Sequence, residues 1–106
     1  MPVHVIIKRK WKIGNPEKLF PLLKELRSQA KEQPGFLSSQ TLRNSDDIKY
    51  YVVISRWESA KHWEKWLLSR ERRDIQGKVD SLIGEKTFYE VFETVSVEGE
   101  VLSGKR

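Results

Sequence analysis

Hydrophobic and polar residues follow two different periods along this chain. Val3, Val5 and Ile7 alternate with other residues and are β-branched, which is typical of a strand. Between residues 16 and 33, leucines recur at spacings of three and four, as on one face of a helix. The two periods predict strands over 3–11, 36–43, 48–57 and 86–97, and helical segments over 16–33, over 60–68 and between Ser69 and Gly84.

Capping residues stand at the predicted helix boundaries. Asn15 can cap the first helix, Ser59 and Ser69 can cap the two later segments, and Gly84 can end the last one. We expect that last segment to be interrupted or bent near Gly77, because glycine weakens a helix interior. The order β-α-β-β-α-β predicts an α+β ferredoxin-like fold, a four-stranded antiparallel sheet with its helices on one face.

The third predicted strand carries apolar side chains on both faces. Tyr51 and Val53 share the face of Trp57, while Val52 and Ile54 lie on the other. Helices on one side leave the second face of the sheet uncovered, and a half-solvated strand would alternate with polar residues. We therefore expect a homodimer that packs sheet against sheet. The alternative is an exposed aromatic face that serves as a binding platform.

Length and composition exclude several classes of protein. The 106 residues allow one domain, expected over 1–97, followed by a polar C-terminal tail over 98–106. The chain has no cysteine and only two histidines, so disulfides and thiolate metal sites are excluded and no metal is expected. Neither a membrane-spanning run nor a signal-peptide pattern is present, so we expect a cytoplasmic protein without a membrane partner. The formal charge of +5 permits an acidic ligand without requiring one.

Three of the four tryptophans fall within ten residues. Trp57 ends the third predicted strand, and Trp63 and Trp66 lie three apart on the next helix, so all three can face the space between sheet and helices. Tyr51 lies on the same strand face as Trp57. A closed apolar space of this kind is where such a fold would bind a small molecule. Plain core packing is the alternative explanation of the cluster.

Three short segments resemble the antibiotic biosynthesis monooxygenase domain. They are Pro-Gly-Phe-Leu at 34–37, Val-Ile-Ser-Arg-Trp-Glu-Ser at 53–59 and Trp-Leu-Leu-Ser at 66–69, in the family's order and spacing within residues 3–95. The resemblance implies a homodimeric α/β barrel of ferredoxin-like subunits. It also implies oxygen chemistry, often without metal or flavin, in which an aromatic substrate loses a phenolic proton and passes an electron to O₂.

The resemblance assigns residues to two branches of that family. In the polyketide-oxidising members, Trp57 matches a tryptophan, whereas Val53 and Trp63 replace an asparagine and a tyrosine. In the haem-degrading members, Trp66 matches a tryptophan, but Gln76 stands at the histidine position and Lys8 at the asparagine position. Glutamine is a poor axial ligand, so haem is disfavoured and no cofactor is expected. A third branch, the quinol oxidases, commonly has histidine where Trp66 stands.

These observations predict a monooxygenase-type oxidoreductase that binds an apolar aromatic substrate, a phenol or quinol, together with O₂. Trp57 and Trp66 are its predicted catalytic residues. The predicted substrate-binding residues are Tyr51, Val53, Trp63, Lys8 and Arg56. Strand parity puts Arg56 opposite Trp57, towards the expected dimer interface.

Two other classes of function stay open. A non-catalytic ligand-binding dimer of the same fold is favoured by the replacements at Val53, Lys8 and Gln76. An RNA-recognition module shares the order of elements, but the glycine of its strand-three motif is missing, so no nucleic acid is expected as a partner. The charged run over 70–74 could bind an anion at the cavity mouth, although a solvated helix face is its more common role. His62 is expected to be an exposed helix histidine.

Overall fold

Four strands and three helices make up the part of the chain that the computed structural model describes, residues 2–11, 16–84 and 87–95. The strands form one antiparallel sheet in the order β2-β3-β1-β4. This is the ferredoxin-like topology that the order of elements predicted. The elements are β1 (Val3–Lys10), α1 (Pro16–Lys31), β2 (Phe36–Arg43), β3 (Tyr50–Trp57), α2 (Ala60–Leu67), α3 (Arg70–Ile83) and β4 (Phe88–Glu93).

The predicted caps of α2 and α3 are confirmed. The hydroxyls of Ser59 and Ser69 each accept a hydrogen bond from the backbone N–H three residues later, at 3.2 Å in both cases. Gly84 ends α3 in the left-handed conformation, with φ of 73°. The predicted cap at Asn15 and the predicted tail over 98–106 lie outside the described residues.

The expected interruption of the helix at Gly77 was wrong, because α3 runs unbroken past it. A glycine in a helix interior costs about 1 kcal/mol relative to alanine. That cost is small beside the burial of Ile75, Val79 and Ile83, which continue one apolar face on both sides of the glycine.

The third strand begins two residues later than predicted, at Tyr50. The preceding loop is held by side chains: Asn44 Oδ1 accepts hydrogen bonds from the N–H groups of Asp46 and Asp47, both at 2.8 Å. Such side-chain turns compete with strand pairing. The fourth strand is also shorter than predicted, since residues 94–95 lie beyond its end and 86 and 96–97 are outside the described residues.

Gly35 joins α1 to β2 in a conformation that other residues rarely adopt. Its φ is +84°, and the side chain of His62 lies against it where a Cβ would stand. Its carbonyl accepts a hydrogen bond of 2.8 Å from the N–H of Glu58. His62 is therefore half-buried rather than exposed as expected, with Nδ1 2.7 Å from the hydroxyl of Ser59.

The core lies between one face of the sheet and the helices. β1 contributes Val3, Val5 and Ile7, β3 contributes Trp57, and the helices add apolar residues from their inner faces. The helix contributions to this core are Leu19, Leu26, Trp63, Trp66, Ile75, Val79 and Ile83. The alternation along each strand decides which residues reach the core.

The opposite face of the sheet is also apolar, as the sequence predicted. Ile6, Val52 and Ile54 lie on it from the two central strands and are half-buried. Phe88 and Phe92 of β4 share this face and are 65% and 49% exposed. In the described residues of one copy, no helix covers these side chains.

Candidate functional site

A cavity of about 270 Å³ lies between the sheet and the helices. This volume is just below the roughly 300–1,000 Å³ of pockets for drug-sized ligands, so the cavity suits a small molecule. Most of its wall is apolar and aromatic. The aromatic lining residues are Phe20, Phe36, Tyr51, Trp57, Trp63, Trp66 and Tyr89.

The aromatic rings of the wall pack against one another in edge-on and tilted contacts. Trp57 packs edge-on against Phe36, with centroids 5.3 Å apart, and against Trp63, with centroids 5.9 Å apart. Trp63 in turn lies 5.6 Å from the ring of Tyr89. The indole N–H of Trp57 donates to the hydroxyl of Ser55 at 3.2 Å, so this tryptophan supplies the cavity with ring surface rather than a free donor.

The structure brings together five of the seven residues that the sequence suggested for the site. Tyr51, Val53 and Trp57 reach the cavity from alternate positions of β3. Trp63 and Trp66 reach it from α2, where a spacing of three puts both on the buried face.

Lys8 and Arg56 lie on the other face of the sheet and do not line the cavity. Each directly adjoins a core residue in its strand, and successive strand residues point to opposite faces. Lys8 Nζ is 3.0 Å from Glu90 Oε1, and that hydrogen bond raises the pKa of Lys8. Arg56 is exposed beside the apolar outer face.

Two buried arginines also line the cavity: Arg9, which the sequence did not suggest for the site, and Arg72, which belongs to the charged run over 70–74. Arg9 is 6% exposed and Arg72 is 9% exposed. The sequence contains a pattern that places each of these arginines on a buried face. Arg9 has the parity of Ile7 in β1, and Arg72 precedes Ile75 and Val79 at helical spacing.

Arg72 connects α2, α3 and β4 through its guanidinium. Nε donates to the carbonyl of Leu67 at 2.8 Å, and Nη1 donates to the hydroxyl of Tyr89 at 2.6 Å. Burial raises the pKa of Tyr89 although the positive charge of Arg72 opposes it, so Tyr89 is a neutral phenol at physiological pH. Arg72 is the exception in the charged run over 70–74, because its other four residues are exposed, as expected for a solvated helix face.

Arg9 starts a buried chain of hydrogen bonds. Its Nη2 donates to Gln76 Oε1 at 3.2 Å. Gln76 Nε2 donates to Asp80 Oδ1 and to the hydroxyl of Thr87, both at 2.8 Å, and that hydroxyl donates to Asp80 at 2.9 Å. Burial lowers the pKa of Arg9, but an arginine stays charged over the physiological range. Its Nε is buried without an acceptor among the described residues.

The described residues contain no metal-binding cluster, no histidine in the cavity lining and no helix that could span a membrane. Within them there is no group of three or more His, Cys, Asp or Glu side chains that could hold a metal ion. No histidine is among the described residues that line the cavity, and Gln76 uses both of its amide atoms within the protein. An axial imidazole for haem is therefore missing from this wall. None of the described helices is long and apolar enough to cross a bilayer.

Comparison with solved structures finds the same fold in other proteins. The structure of SnoaB, a cofactor-independent oxygenase from Streptomyces nogalater, is similar with a TM-score of 0.79 and 18% identity, covering 93% of this chain and 98% of that one. A conserved protein from Methanosarcina mazei Go1 is similar with a TM-score of 0.81 and 12% identity, covering 90% and 94%.

At these identities the likeness to solved structures concerns the fold alone. A search of curated protein sequences finds no significant match. The family model for antibiotic biosynthesis monooxygenases, in contrast, matches residues 2–78, which is most of the chain. The protein therefore belongs to the antibiotic biosynthesis monooxygenase family.

Proposed function

We propose that this protein is a cofactor-independent oxygenase that oxidises a small phenol or quinol inside the aromatic cavity. The observation that carries the proposal is the aromatic-walled cavity with buried guanidinium groups at its polar end, in a chain of this family. The similarity to SnoaB, which is named as a cofactor-independent oxygenase, supports it.

The chemistry needs an electron-rich ring, and the cavity is suited to making one. A guanidinium in a poorly solvated site favours the ionised form of a nearby phenol. Arg72 already donates to one phenolic oxygen there, that of Tyr89, which illustrates the contact a substrate oxygen would make. No carboxylate or histidine is among the described lining residues, so the substrate releases its proton to water at the cavity mouth as it enters.

The phenolate is then the reductant for O₂. It passes one electron to O₂, the two radicals combine at the ring carbon opposite the oxygen, and the resulting hydroperoxide loses water. Overall, one phenol and one O₂ give one quinone and one water, so the four electrons taken from the ring reduce both oxygen atoms. In this proposal Trp57 and Trp66 hold the ring in position and keep bulk water from the radical pair.

We also propose that the active form is a homodimer that buries the outer face of the sheet. Ile54 and Phe92 lie on this face, and an exposed apolar surface on a small domain is usually an interface. A two-fold axis would pack the same face of two copies together. The ion pair between Lys8 and Glu90 lies on the same face and would border that interface.

A second candidate is a ligand-binding dimer without oxygenase activity. Val53 favours it, because an apolar side chain stands where the resemblance places a polar one. The absence of a protein base among the described lining residues favours it as well. Such a protein would bind the same phenols and leave O₂ unconsumed.

Oxygen uptake in the presence of a metal chelator separates the two functions. The purified protein is assayed with a panel of phenols and quinols, beside Trp66→Phe, Trp66→Ala and the control Leu68→Ala. Leu68 follows α2 and is largely exposed, so its loss should leave the cavity intact. We expect uptake with at least one phenol, a large loss in both Trp66 variants and full activity in L68A. Saturable binding of the phenols without oxygen uptake would reject the oxygenase and favour the second candidate.

A further inference from the structure

The charged residues that line the cavity are all cationic. Among the described lining residues, Lys24 and Arg27 of α1 are exposed at the mouth, and Arg9 and Arg72 are buried at the far end. No aspartate or glutamate belongs to this set. A ligand that enters this cavity therefore meets positive charge at the mouth and again at the buried end.

The two buried guanidinium groups are not neutralised by direct ion pairs. Among the described residues, no carboxylate oxygen lies within 4 Å of either group, while closer pairs exist elsewhere in the chain. Arg9 and Arg72 are near enough that the charge of Arg72 contributes to lowering the pKa of Arg9. Leaving such charges buried and unpaired is costly.

One carboxylate, Asp80, acts on this cluster from a distance. It accepts a hydrogen bond from Gln76, which in turn accepts one from Arg9, so its charge acts on the guanidinium through space without a direct hydrogen bond. Two cations against one anion leave one positive charge without a counterion. The free Nε of Arg9 provides a donor at the same place.

We propose that the cavity binds its ligand as a monoanion, an aromatic carboxylate whose carboxyl group pairs with Arg9 and Arg72 while its ring lies among the tryptophans. A carboxylate accepts several charge-assisted hydrogen bonds and fits the planar guanidinium fork. It brings one negative charge, as the cluster requires. It is ionised at neutral pH without help from a protein base, unlike a phenol.

This inference specifies the substrate class of the proposed function. Only the statement that the bound carboxylate is oxidised rests on that function. If the protein is an oxygenase of phenols, its substrate is a hydroxylated aromatic acid whose hydroxyl is next to the carboxyl group on the ring, so that the arginines contact both groups. Lys24 and Arg27 at the mouth would speed the entry of such an anion. Binding of the carboxylate itself does not depend on catalysis.

The test measures binding of a hydroxynaphthoate and of its neutral primary amide, two probes of nearly the same size. Affinities are determined anaerobically by quenching of tryptophan fluorescence, for the wild type and for Arg9→Met, Arg9→Lys and Arg56→Met. Arg56 is an exposed arginine on the other face of the sheet and is the matched control. Thermal unfolding of each variant verifies that it is folded.

We expect the wild type to bind the carboxylate more tightly than the amide. Arg9→Met should weaken carboxylate binding by about 10- to 100-fold, the value of one charge-assisted hydrogen bond, and should leave amide binding nearly unchanged. Arg9→Lys should retain part of the preference, and Arg56→Met all of it. Equal affinities of the two probes in the wild type, or equal losses for both probes in Arg9→Met, would overturn the inference.

Oxygen uptake with the same probes distinguishes the two proposals. If the carboxylate binds through Arg9 and no oxygen is consumed, the inference stands and the oxygenase proposal fails. If a neutral phenol is oxidised while the carboxylate shows no preference, the oxygenase proposal stands and the inference fails.

Discussion

Substitution of Gly35 by alanine should strongly destabilise this protein, because two separate features of the structure reject a side chain there. The residue has φ of +84°, which is unfavourable for any residue with a Cβ. An added Cβ would also stand 2.6 Å from the Cβ of His62, with two ring atoms of His62 nearer still. A Cβ cannot swing away by changing rotamer, so α2 itself would have to shift.

The expected loss of unfolding free energy is about 3 kcal/mol. The left-handed backbone contributes roughly 1–2 kcal/mol for a residue other than glycine. Displacing His62 removes its 2.7 Å contact with the Ser59 hydroxyl, worth about 1 kcal/mol, and shifting α2 adds a cost of the same order. At roughly 4–8 °C per kcal/mol for a domain of this size, the melting temperature should fall by more than about 10 °C.

Urea denaturation at one fixed protein concentration measures the effect, since dimerisation would make stability depend on concentration. Gly77→Ala is the matched control: an added Cβ meets nothing within 4 Å there, so alanine should stabilise α3 by about 0.5–1 kcal/mol. In a His62→Gly background, Gly35→Ala should cost only the backbone share, about 1–2 kcal/mol. Wild-type stability in the single Gly35→Ala variant would refute the reasoning.

Three further predictions concern the cavity and the outer face. Trp57→Ala should cost about 3–5 kcal/mol in urea denaturation, because the side chain is 1% exposed and joins the sheet to α2. Burial raises the pKa of Tyr89 in the folded protein, so the neutral phenol contributes fully to folding stability below the ordinary tyrosine pKa, and this contribution is lost as the pH rises through the folded pKa. Between neutral and alkaline pH, the free energy of unfolding should therefore fall more steeply in the wild type than in Tyr89→Phe. Ile54→Lys should convert the proposed dimer into a monomer in analytical ultracentrifugation, whereas Ser81→Lys, on an exposed position of α3, should not.

Each of these has an outcome that would contradict it. A Trp57→Ala variant as stable as the wild type would mean that the ring is not part of the packed core. Equal pH slopes for the wild type and Tyr89→Phe would mean that burial does not disfavour the ionised tyrosine. A sedimentation coefficient that Ile54→Lys leaves unchanged would place any interface elsewhere on the molecule.

The sequence alone was sufficient for the order of helices and strands and for the aromatic wall, because both depend on local periodicity. Alternation in β3 puts Tyr51, Val53 and Trp57 on one face, and a spacing of three puts Trp63 and Trp66 on another. Capping serines and terminal glycines mark helix ends through hydrogen bonds only a few residues long. Such features are decided within one element and can be read from one stretch of chain.

The polar end of the cavity was decided by tertiary structure. Arg9 and Gln76 are 67 residues apart and meet only because α3 packs over the strand that carries Arg9. Arg72 meets Tyr89 because β4 pairs with β1 at the edge of the sheet. Strand parity could have placed Arg9 in the core and Lys8 outside it, but it could not reveal the partners of Arg9. Those partners determine whether a buried charge is neutralised or free for a ligand, and they depend on which elements become neighbours in the folded chain.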